Sequence, residues 1–298
     1  MHSVSPAKKR LRVSIVIPVY NEARHIGACL ESIAAQTTRP LEVIVVDNNS
    51  TDGSAEIAAR YPFVTLLRQP IQGSVPARNL GFQHAHGDIL ARLNADVMLE
   101  PGWVTEVERM FASNKKLGGL SGLAITRSLD YVDAPRSTFW TRMYFWWTDA
   151  YFRLPQMWGA DMAMRREAWL GVEPLACPNN TEVHEDQDLS LLLSAAGWGV
   201  AHDNHLRVRT KGQAYHNWPQ FWEYMRRRWR TKRYHQRRGT YERARQFVMP
   251  RWHQAGVYAL IFVPGSIYII SSFLLGLPGI IWRGLRRLAR RFGLPPAI

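Results

Sequence analysis

The run VSIVIPVYNE at residues 13–22 is apolar, apart from one serine, until it ends in tyrosine, asparagine and glutamate. Short apolar runs of this kind are typical of strands buried on both faces of a parallel sheet. A second such run, LEVIVVD, occupies residues 41–47, and residues 26–35 between them have the apolar spacing of a helix. This part of the chain therefore predicts a strand, a helix and a parallel strand in that order.

The same alternation continues along the chain. Residues 54–60 and 75–85 have the pattern of helices, and residues 64–67 and 89–93 have the pattern of strands. Alternating strands and helices predict an α/β fold with a mostly parallel sheet and helices on both faces. Ligands of such sheets bind in the crevice beyond the carboxyl ends of the strands.

Polar residues stand at three of these strand ends: Pro18–Glu22, Asp47–Asn49 and Asn94–Asp96. Asp and Asn at such positions also cap helices, which is the simpler interpretation for Asp52. Three polar ends that converge on one crevice favour a binding site. The chain has no G-x-G-x-x-G after its first strand and no P-loop motif, so dinucleotide and P-loop binding are weak hypotheses.

The run HEDQDL at residues 184–189 places three carboxylates within four positions, just before an apolar run. One interpretation is a helix start, where the helix dipole favours negative charge. The other is a general base that takes a proton from an attacking hydroxyl. The pattern alone leaves both open.

The composition indicates an anionic partner. The chain has 298 residues, enough for one large or two small domains, and a formal net charge of +14. Two cysteines make a disulfide framework unlikely. Much of the positive charge lies between residues 226 and 251 and between residues 283 and 291.

Residues 216–254 are basic and rich in aromatics, with apolar positions 218, 221, 222, 225 and 229 at helical spacing. This pattern predicts basic amphipathic helices, which suit a membrane surface with anionic lipids or a nucleic acid. The next segment, residues 255–282, is strongly apolar and flanked by arginines. That neighbour favours the membrane, so we expect no nucleic acid partner.

The apolar segment is either a single span or a re-entrant hairpin. A helix over residues 257–282 would run about 39 Å, enough to cross a bilayer core of about 30 Å. Prolines at 264 and 278 interrupt it, and a single span would put one arginine cluster on the non-cytosolic side. We therefore predict the hairpin, with a basic tail at 283–298 and another at 1–12.

Five motifs occur in the order VIPVYNE at 16–22, VVDNNSTDG at 45–53, ARNLG at 77–81, NAD at 94–96 and EDQDL at 185–189. This ordered set resembles family 2 glycosyltransferases of the GT-A fold, a Rossmann-like fold, over roughly residues 12–210. The resemblance implies a domain at 13–215 that carries out inverting transfer from a UDP- or GDP-linked sugar.

The resemblance also implies roles for single residues. Asp186, together with Glu185, would provide the base that deprotonates the acceptor hydroxyl. Asp96 would bind the divalent cation, Mg²⁺ or Mn²⁺, that bridges the phosphates, as the last residue of a motif at the place of D-x-D. The nucleotide sugar would contact Pro18, Tyr20, Glu22, Asp47, Asn49, Arg78, Asn94 and Ala95. The donor sugar and acceptor would contact Gly159, Ala160, Asp161, Asp188, Arg228 and Trp229.

Two features depart from the family pattern. Asn94 replaces the first aspartate of D-x-D, which removes one negative charge from the cation site. The nearest match to the Q-x-x-R-W motif of processive members is MRRRW at 225–229, which lacks the glutamine. That difference favours a single transfer over polymerisation.

We therefore expect a membrane-associated glycosyltransferase whose catalytic domain faces the cytosol and whose acceptor is lipid-linked. An alternative is a transferase with a soluble or polysaccharide acceptor. An alternative of another class is a non-catalytic protein that binds anionic lipid or nucleic acid on a nucleotide-binding scaffold.

Overall fold

A computed structural model of the protein describes residues 10–126, 136–178, 182–210 and 218–246. The chain divides into two compact units, Met1–Met249 and Pro250–Ile298, and every described residue belongs to the first. The predicted membrane segment at 255–282 and the basic tail at 283–298 lie outside the described residues, as do residues 1–9 of the N-terminal tail.

The described part contains eight strands and nine α-helices, with a short 3₁₀ turn at Glu173–Leu175. The strands are β1 (Val13–Val19), β2 (Glu42–Asp47), β3 (Val64–Arg68), β4 (Ile89–Leu93), β5 (Val97–Leu99), β6 (Leu117–Thr126), β7 (Asp161–Arg165) and β8 (Gly199–Thr210). The helices are α1 (Ile26–Ala34), α2 (Ser54–Ala59), α3 (Ser74–His84), α4 (Trp103–Ser113), α5 (Arg136–Phe152), α6 (Arg166–Val172), α7 (Glu185–Ala195), α8 (Trp218–Arg237) and α9 (Thr240–Gln246).

All eight strands form one sheet in the order β3-β2-β1-β4-β7-β6-β8-β5. The first four strands of that order are parallel, as the alternating pattern predicts. The other half is mixed: β7 is antiparallel to β4 and β6, and β5 is antiparallel to β8. Strand β7 has no alternating pattern of its own, and it pairs with β4 from a distant part of the sequence.

Helices cover both faces of the sheet, as predicted. One face packs against α1 and α4, through residues such as Leu30 and Phe111. The other face packs against α3, α6 and α7, through residues such as Phe82, Trp169 and Leu193. Helix α3 lies very close to the sheet at Gly81. A Cβ on this residue would come within 2.3 Å of Val16 Cγ1, so glycine allows the close approach.

The basic segment forms two helices, α8 and α9, which meet at Gly239 in a left-handed conformation with φ of 68°. The buried face of α8 is polar: Arg228, Thr231 and His235 are each at most 1% exposed. Trp222 and Trp229, which the apolar stripe includes, are each 52% exposed. The helix therefore docks through its polar side and leaves aromatic side chains in solvent.

No helix within the described ranges is both long and apolar enough to traverse a bilayer.

Candidate functional site

The loops after β1 and β2 bind to each other at the carboxyl edge of the sheet. Asn21, at φ 54°, accepts a hydrogen bond on Oδ1 from the Thr51 backbone N–H at 2.8 Å, and its own N–H donates to Ser50 Oγ at 3.1 Å. The Glu22 N–H donates to Ser54 Oγ at 2.8 Å. These bonds hold Tyr20, which is 52% exposed, at the open rim, where its ring can stack on a base.

Asp47 ends β2 and is nearly buried. Its Oδ1 accepts a hydrogen bond from the Ser50 N–H at 3.2 Å, which orders the turn that follows. The ends of β1 and β2 thus meet at one edge of the sheet, as predicted, and bring Tyr20 and Glu22 near Asp47. Pro18 lies one residue before the end of β1 and is paired in register with Val46.

Asn48 and Asn49 bind the loop before α3. Asn48 Nδ2 donates to the carbonyls of Gln69 and Ile71, at 2.8 and 2.7 Å, and its Oδ1 accepts from the Gly73 N–H at 2.7 Å. Asn49 Nδ2 donates to the Pro70 carbonyl at 2.9 Å. The Asn49 side chain, predicted to contact the nucleotide, thus bonds a protein loop, and Asn48 fixes the start of α3.

Two buried arginines share Glu185. Arg78 Nη1 lies 3.3 Å from Glu185 Oε2, and Arg92 Nη2 lies 3.2 Å from Oε1. Arg78 also donates from Nε and Nη2 to Asn79 Oδ1. Burial lowers the pKa of Arg78, and the negative charge of Glu185 opposes that shift. The Arg78 guanidinium therefore faces Glu185 and Asn79 in this structure. Glu185 acts as the counter-charge of this cluster.

Sequence reasoning missed Arg92. It lies in β4, where the run ILARL places one charged residue inside an apolar strand. A charged residue inside a buried strand indicates a charge partner elsewhere in the fold, because a buried charge needs one. Glu185 becomes the partner of Arg92 because the packing of α7 against the sheet brings the two side chains together.

Asp186 is held at the first turn of α7. Its Oδ2 accepts a hydrogen bond from the Gly159 N–H at 2.9 Å, and its Oδ1 accepts from the Gln187 N–H at 2.8 Å. A Cβ at Gly159 would lie 3.1 Å from Arg92 Nη1 and 3.4 Å from Asp186 Oδ2. Glycine thus lets the backbone come close to both charged groups.

The dipeptide Gly159–Ala160 connects Asp186 to the predicted cation motif. Gly159 bonds Asp186, and the next residue, Ala160, accepts a hydrogen bond on its carbonyl from the Asn94 N–H at 3.2 Å. Asp96, two residues on, accepts from Thr210 Oγ1 at 3.2 Å. Asp186 and Asn94, which are 92 positions apart in sequence, are therefore joined through one dipeptide.

Asp96 is the single carboxylate of the predicted cation motif. Across the described ranges there is no group of three or more His, Cys, Asp or Glu side chains that could hold a metal ion. Mg²⁺ and related cations often bind one or two protein carboxylates and complete their coordination with substrate phosphates and water. The residues present fit a cation held in that way: Asp96, which is partly exposed, would supply the carboxylate, and Asn94, two residues before it, carries a neutral amide oxygen.

Three residues predicted to contact sugar or acceptor have buried side chains that face the protein. Asp161 is 0% exposed and accepts from Trp103 Nε1 at 3.2 Å; burial raises its pKa to about 7. Asp188 accepts from the Cys177 N–H at 2.9 Å and lies 2.8 Å from His235 Nε2. Arg228 stacks over the rings of Trp147 and Tyr224 and donates to the Tyr224 hydroxyl. In this structure these side chains do not face the cleft, whereas Trp229 is exposed.

A model of glycosyl transferase family 2 matches residues 14–166 of the chain. The chain belongs to this family. This match confirms the predicted family. It ends before α7, so Glu185 and Asp186 lie beyond it.

Among similar proteins, glycosyltransferase AglE of Haloferax volcanii is 41% identical over 99 residues, which are 31% of this chain and 33% of AglE. An undecaprenyl-phosphate 4-deoxy-4-formamido-L-arabinose transferase of Serratia proteamaculans is 39% identical over 110 residues, which are 34% of this chain and 33% of that protein. The aligned region thus spans about a third of the length of each of these curated relatives.

Among solved structures, the mannosyltransferase PcManGT from Pyrobaculum calidifontis, in complex with GDP-Man and Mn²⁺, has a TM-score of 0.62 at 20% identity. The similarity covers 92% of this chain and 83% of PcManGT. This likeness confirms the GT-A fold of the family 2 domain.

Proposed function

We propose that the protein is an inverting glycosyltransferase that moves a sugar from a nucleotide diphosphate sugar to a lipid-linked acceptor at a membrane surface. The observation that carries this proposal is the bonded path from the Asp186 carboxylate through Gly159–Ala160 to the Asn94–Asp96 motif. It supports a base and a cation site held at a fixed spacing on one crevice.

Asp186 has the properties of a general base for a hydroxyl. A carboxylate offers about four lone-pair positions, and two of those on Asp186 accept backbone N–H groups. The remaining positions are free to accept the proton of an attacking hydroxyl. Attack on one side of the anomeric carbon while the diphosphate leaves on the other inverts its configuration.

The leaving diphosphate requires positive charge beside it. A divalent cation on Asp96 would supply that charge as a Lewis acid when bound. The structural neighbours support donors of this class, since PcManGT is described with GDP-Man and Mn²⁺, and the TarS protein of S. aureus, at a TM-score of 0.51, is described with UDP-GlcNAc. These neighbours support a uridine or guanosine diphosphate sugar as the donor of this protein.

Helix α8 supports a membrane-surface acceptor. Its exposed Trp222 and Trp229 lie on the side opposite the buried face, together with exposed arginines such as Arg226 and Arg233. Tryptophan and arginine on one helix face suit the interface of a bilayer with anionic lipids. The Serratia relative is named for an undecaprenyl-phosphate substrate. The catalytic domain would then lie on the cytosolic side, where nucleotide sugars are made.

The test is turnover of UDP- and GDP-linked sugars with Mn²⁺, offered with a polyprenyl-linked glycan, a polyprenyl phosphate or a soluble glycan. For a hydroxyl acceptor, Asp186→Asn should lower the rate about 10²–10⁴-fold and leave donor affinity unchanged. A phosphate acceptor is largely ionised at neutral pH, since its second pKa is about 6, and needs no base. A rate within a few-fold of wild type on a hydroxyl acceptor would contradict the role of Asp186.

Separate measurements test the acceptor class and the binding to a membrane surface. Equal turnover of soluble and lipid-linked acceptors would contradict the lipid-linked proposal. Trp222→Ser with Trp229→Ser should weaken binding to anionic vesicles, whereas the control Leu170→Ser, an exposed apolar residue on α6, should not. Salt-sensitive nucleic acid binding without nucleotide-sugar turnover would support the non-catalytic alternative instead.

A further inference from the structure

Helix α8 is bound to the first turn of α7 by hydrogen bonds between buried and partly buried groups. The His184 N–H, just before α7, donates to Thr231 Oγ1 at 2.9 Å. The His184 ring donates from Nε2 to the Tyr224 carbonyl at 3.2 Å. One turn along, His235 Nε2 lies 2.8 Å from Asp188 Oδ1. The side of α8 that faces α7 is thus built for directional contacts rather than for apolar packing.

Asp188 depends on these contacts because it is deeply buried. Asp188 and His235 are each 1% exposed. Asp188 Oδ2 accepts from the Cys177 N–H at 2.9 Å, so each of its oxygens has one donor, from a different part of the chain. A buried carboxylate that loses a donor suffers a large desolvation penalty, and the local backbone moves to reduce it.

A movement of Asp188 would also shift Asp186. The two residues lie in the same first turn of α7, and Asp186 Oδ2 is fixed at 2.9 Å from the Gly159 N–H. The Gly159 backbone packs directly against the Asp186 carboxylate, since a Cβ at Gly159 would be in van der Waals contact with Oδ2 at 3.4 Å. Misplacement of a reacting group by about 1 Å can lower a rate about 10²-fold.

We propose that His235 is a positioning residue: acting through Asp188, it holds the first turn of α7 so that Asp186 points at the acceptor. The inference rests on the proposed function, because it needs Asp186 as the base. It also connects the helix that bears the exposed tryptophans to the residue that performs the chemistry.

The test replaces His235 with glutamine or asparagine, two side-chain amides of different length. Glutamine places its amide nitrogen about where His Nε2 lies, whereas asparagine is one methylene shorter and falls short of Asp188. We expect His235→Asn and His235→Leu to lower kcat about 10–10²-fold, with the donor KM within about two-fold of wild type. His235→Gln should restore kcat to within a few-fold. Gln236→Leu, an exposed neighbour on the same helix, is the matched control and should leave both constants unchanged.

A purely structural role predicts a different result. It would lower the amount of folded enzyme, which a donor-binding titration measures, and kcat per binding site would stay constant. The comparison of Gln with Asn remains decisive if the Leu variant does not fold. Equal kcat per site for Gln, Asn and wild type would overturn this inference alone. A folded wild-type protein that turns over no nucleotide sugar would overturn the proposed function and this inference together.

Discussion

The crevice is built in two different ways on its two sides. After β1 and β2, polar side chains bond the backbone of neighbouring loops, as Asn21, Asp47 and Asn48 do. At the start of α7, carboxylates mostly pair with side chains from distant elements, as Glu185 does with Arg78 and Arg92 and as Asp188 does with His235. On the first side, neutral or singly charged side chains bond the backbone, and on the second, buried carboxylates pair with arginine or histidine side chains.

This difference predicts where substitutions cost most. Removing a buried charge's partner leaves an uncompensated charge, which typically costs more than the loss of a neutral hydrogen bond. Two of the four changes below, Glu185→Leu and Asn48→Ala, test this contrast directly, and the first three are given from the largest expected effect to the smallest.

Glu185→Leu leaves two buried arginines without their shared counter-charge. We expect the free energy of unfolding to fall by about 3–5 kcal/mol, measured by urea denaturation. Arg92→Met is the matched control: it leaves Arg78 and Glu185 as a balanced pair, so its loss should be clearly smaller. Equal losses for the two variants would show that charge balance does not govern this cluster.

Asp96→Ala removes the one carboxylate of the proposed cation motif. Donor affinity in the presence of Mn²⁺ should fall about 10²-fold, equivalent to about 2.7 kcal/mol. Without Mn²⁺ the variant and wild type should bind donor equally, in titrations followed by calorimetry. Asn94→Asp is the opposite change and should strengthen cation binding. Unchanged Mn²⁺ dependence in Asp96→Ala would remove Asp96 from the cation site.

Asn48→Ala tests the neutral side of the crevice. It removes three hydrogen bonds to the backbone of the loop before α3, so we expect a loss of about 1–3 kcal/mol in the free energy of unfolding. Asn49→Ala, which bonds the same loop at a more exposed position, should cost less. A loss for Asn48→Ala that exceeds that of Glu185→Leu would reverse the comparison between the two sides.

Asp161→Asn gives an effect that depends on pH. Burial raises the pKa of Asp161 to about 7 in the folded protein, from about 4 in an unfolded chain. The folded state therefore binds more protons between about pH 4 and pH 7, and stability falls as pH rises through that window. Asp161→Asn should remove this pH dependence of stability. The difference in melting temperature between wild type and variant should therefore change between about pH 4 and pH 7. A difference that is constant with pH would contradict this assignment.

The parallel half of the fold was predictable from the sequence. Strands β1 to β4 and the helices between them lie where the apolar runs indicate, within a residue or two, because buried strands and amphipathic helices leave local periodic patterns. The same patterns placed Tyr20, Asp47 and Asn94–Asp96 at one edge, because the carboxyl ends of parallel strands meet there.

The pairing of charges was decided by the tertiary structure. The sequence showed three carboxylates at 185–188 and arginines at 78 and 92, but no local pattern states that Glu185 neutralises both arginines, that Asp188 bonds His235, or that Asp186 bonds Gly159. The same holds for α8, where the apolar stripe predicts a membrane-facing surface but no local pattern states that Arg228, Thr231 and His235 form the buried face. Backbone periodicity is a local property that each segment carries alone, whereas a buried charge is satisfied by whichever group the packed fold brings within 3 Å or so of it.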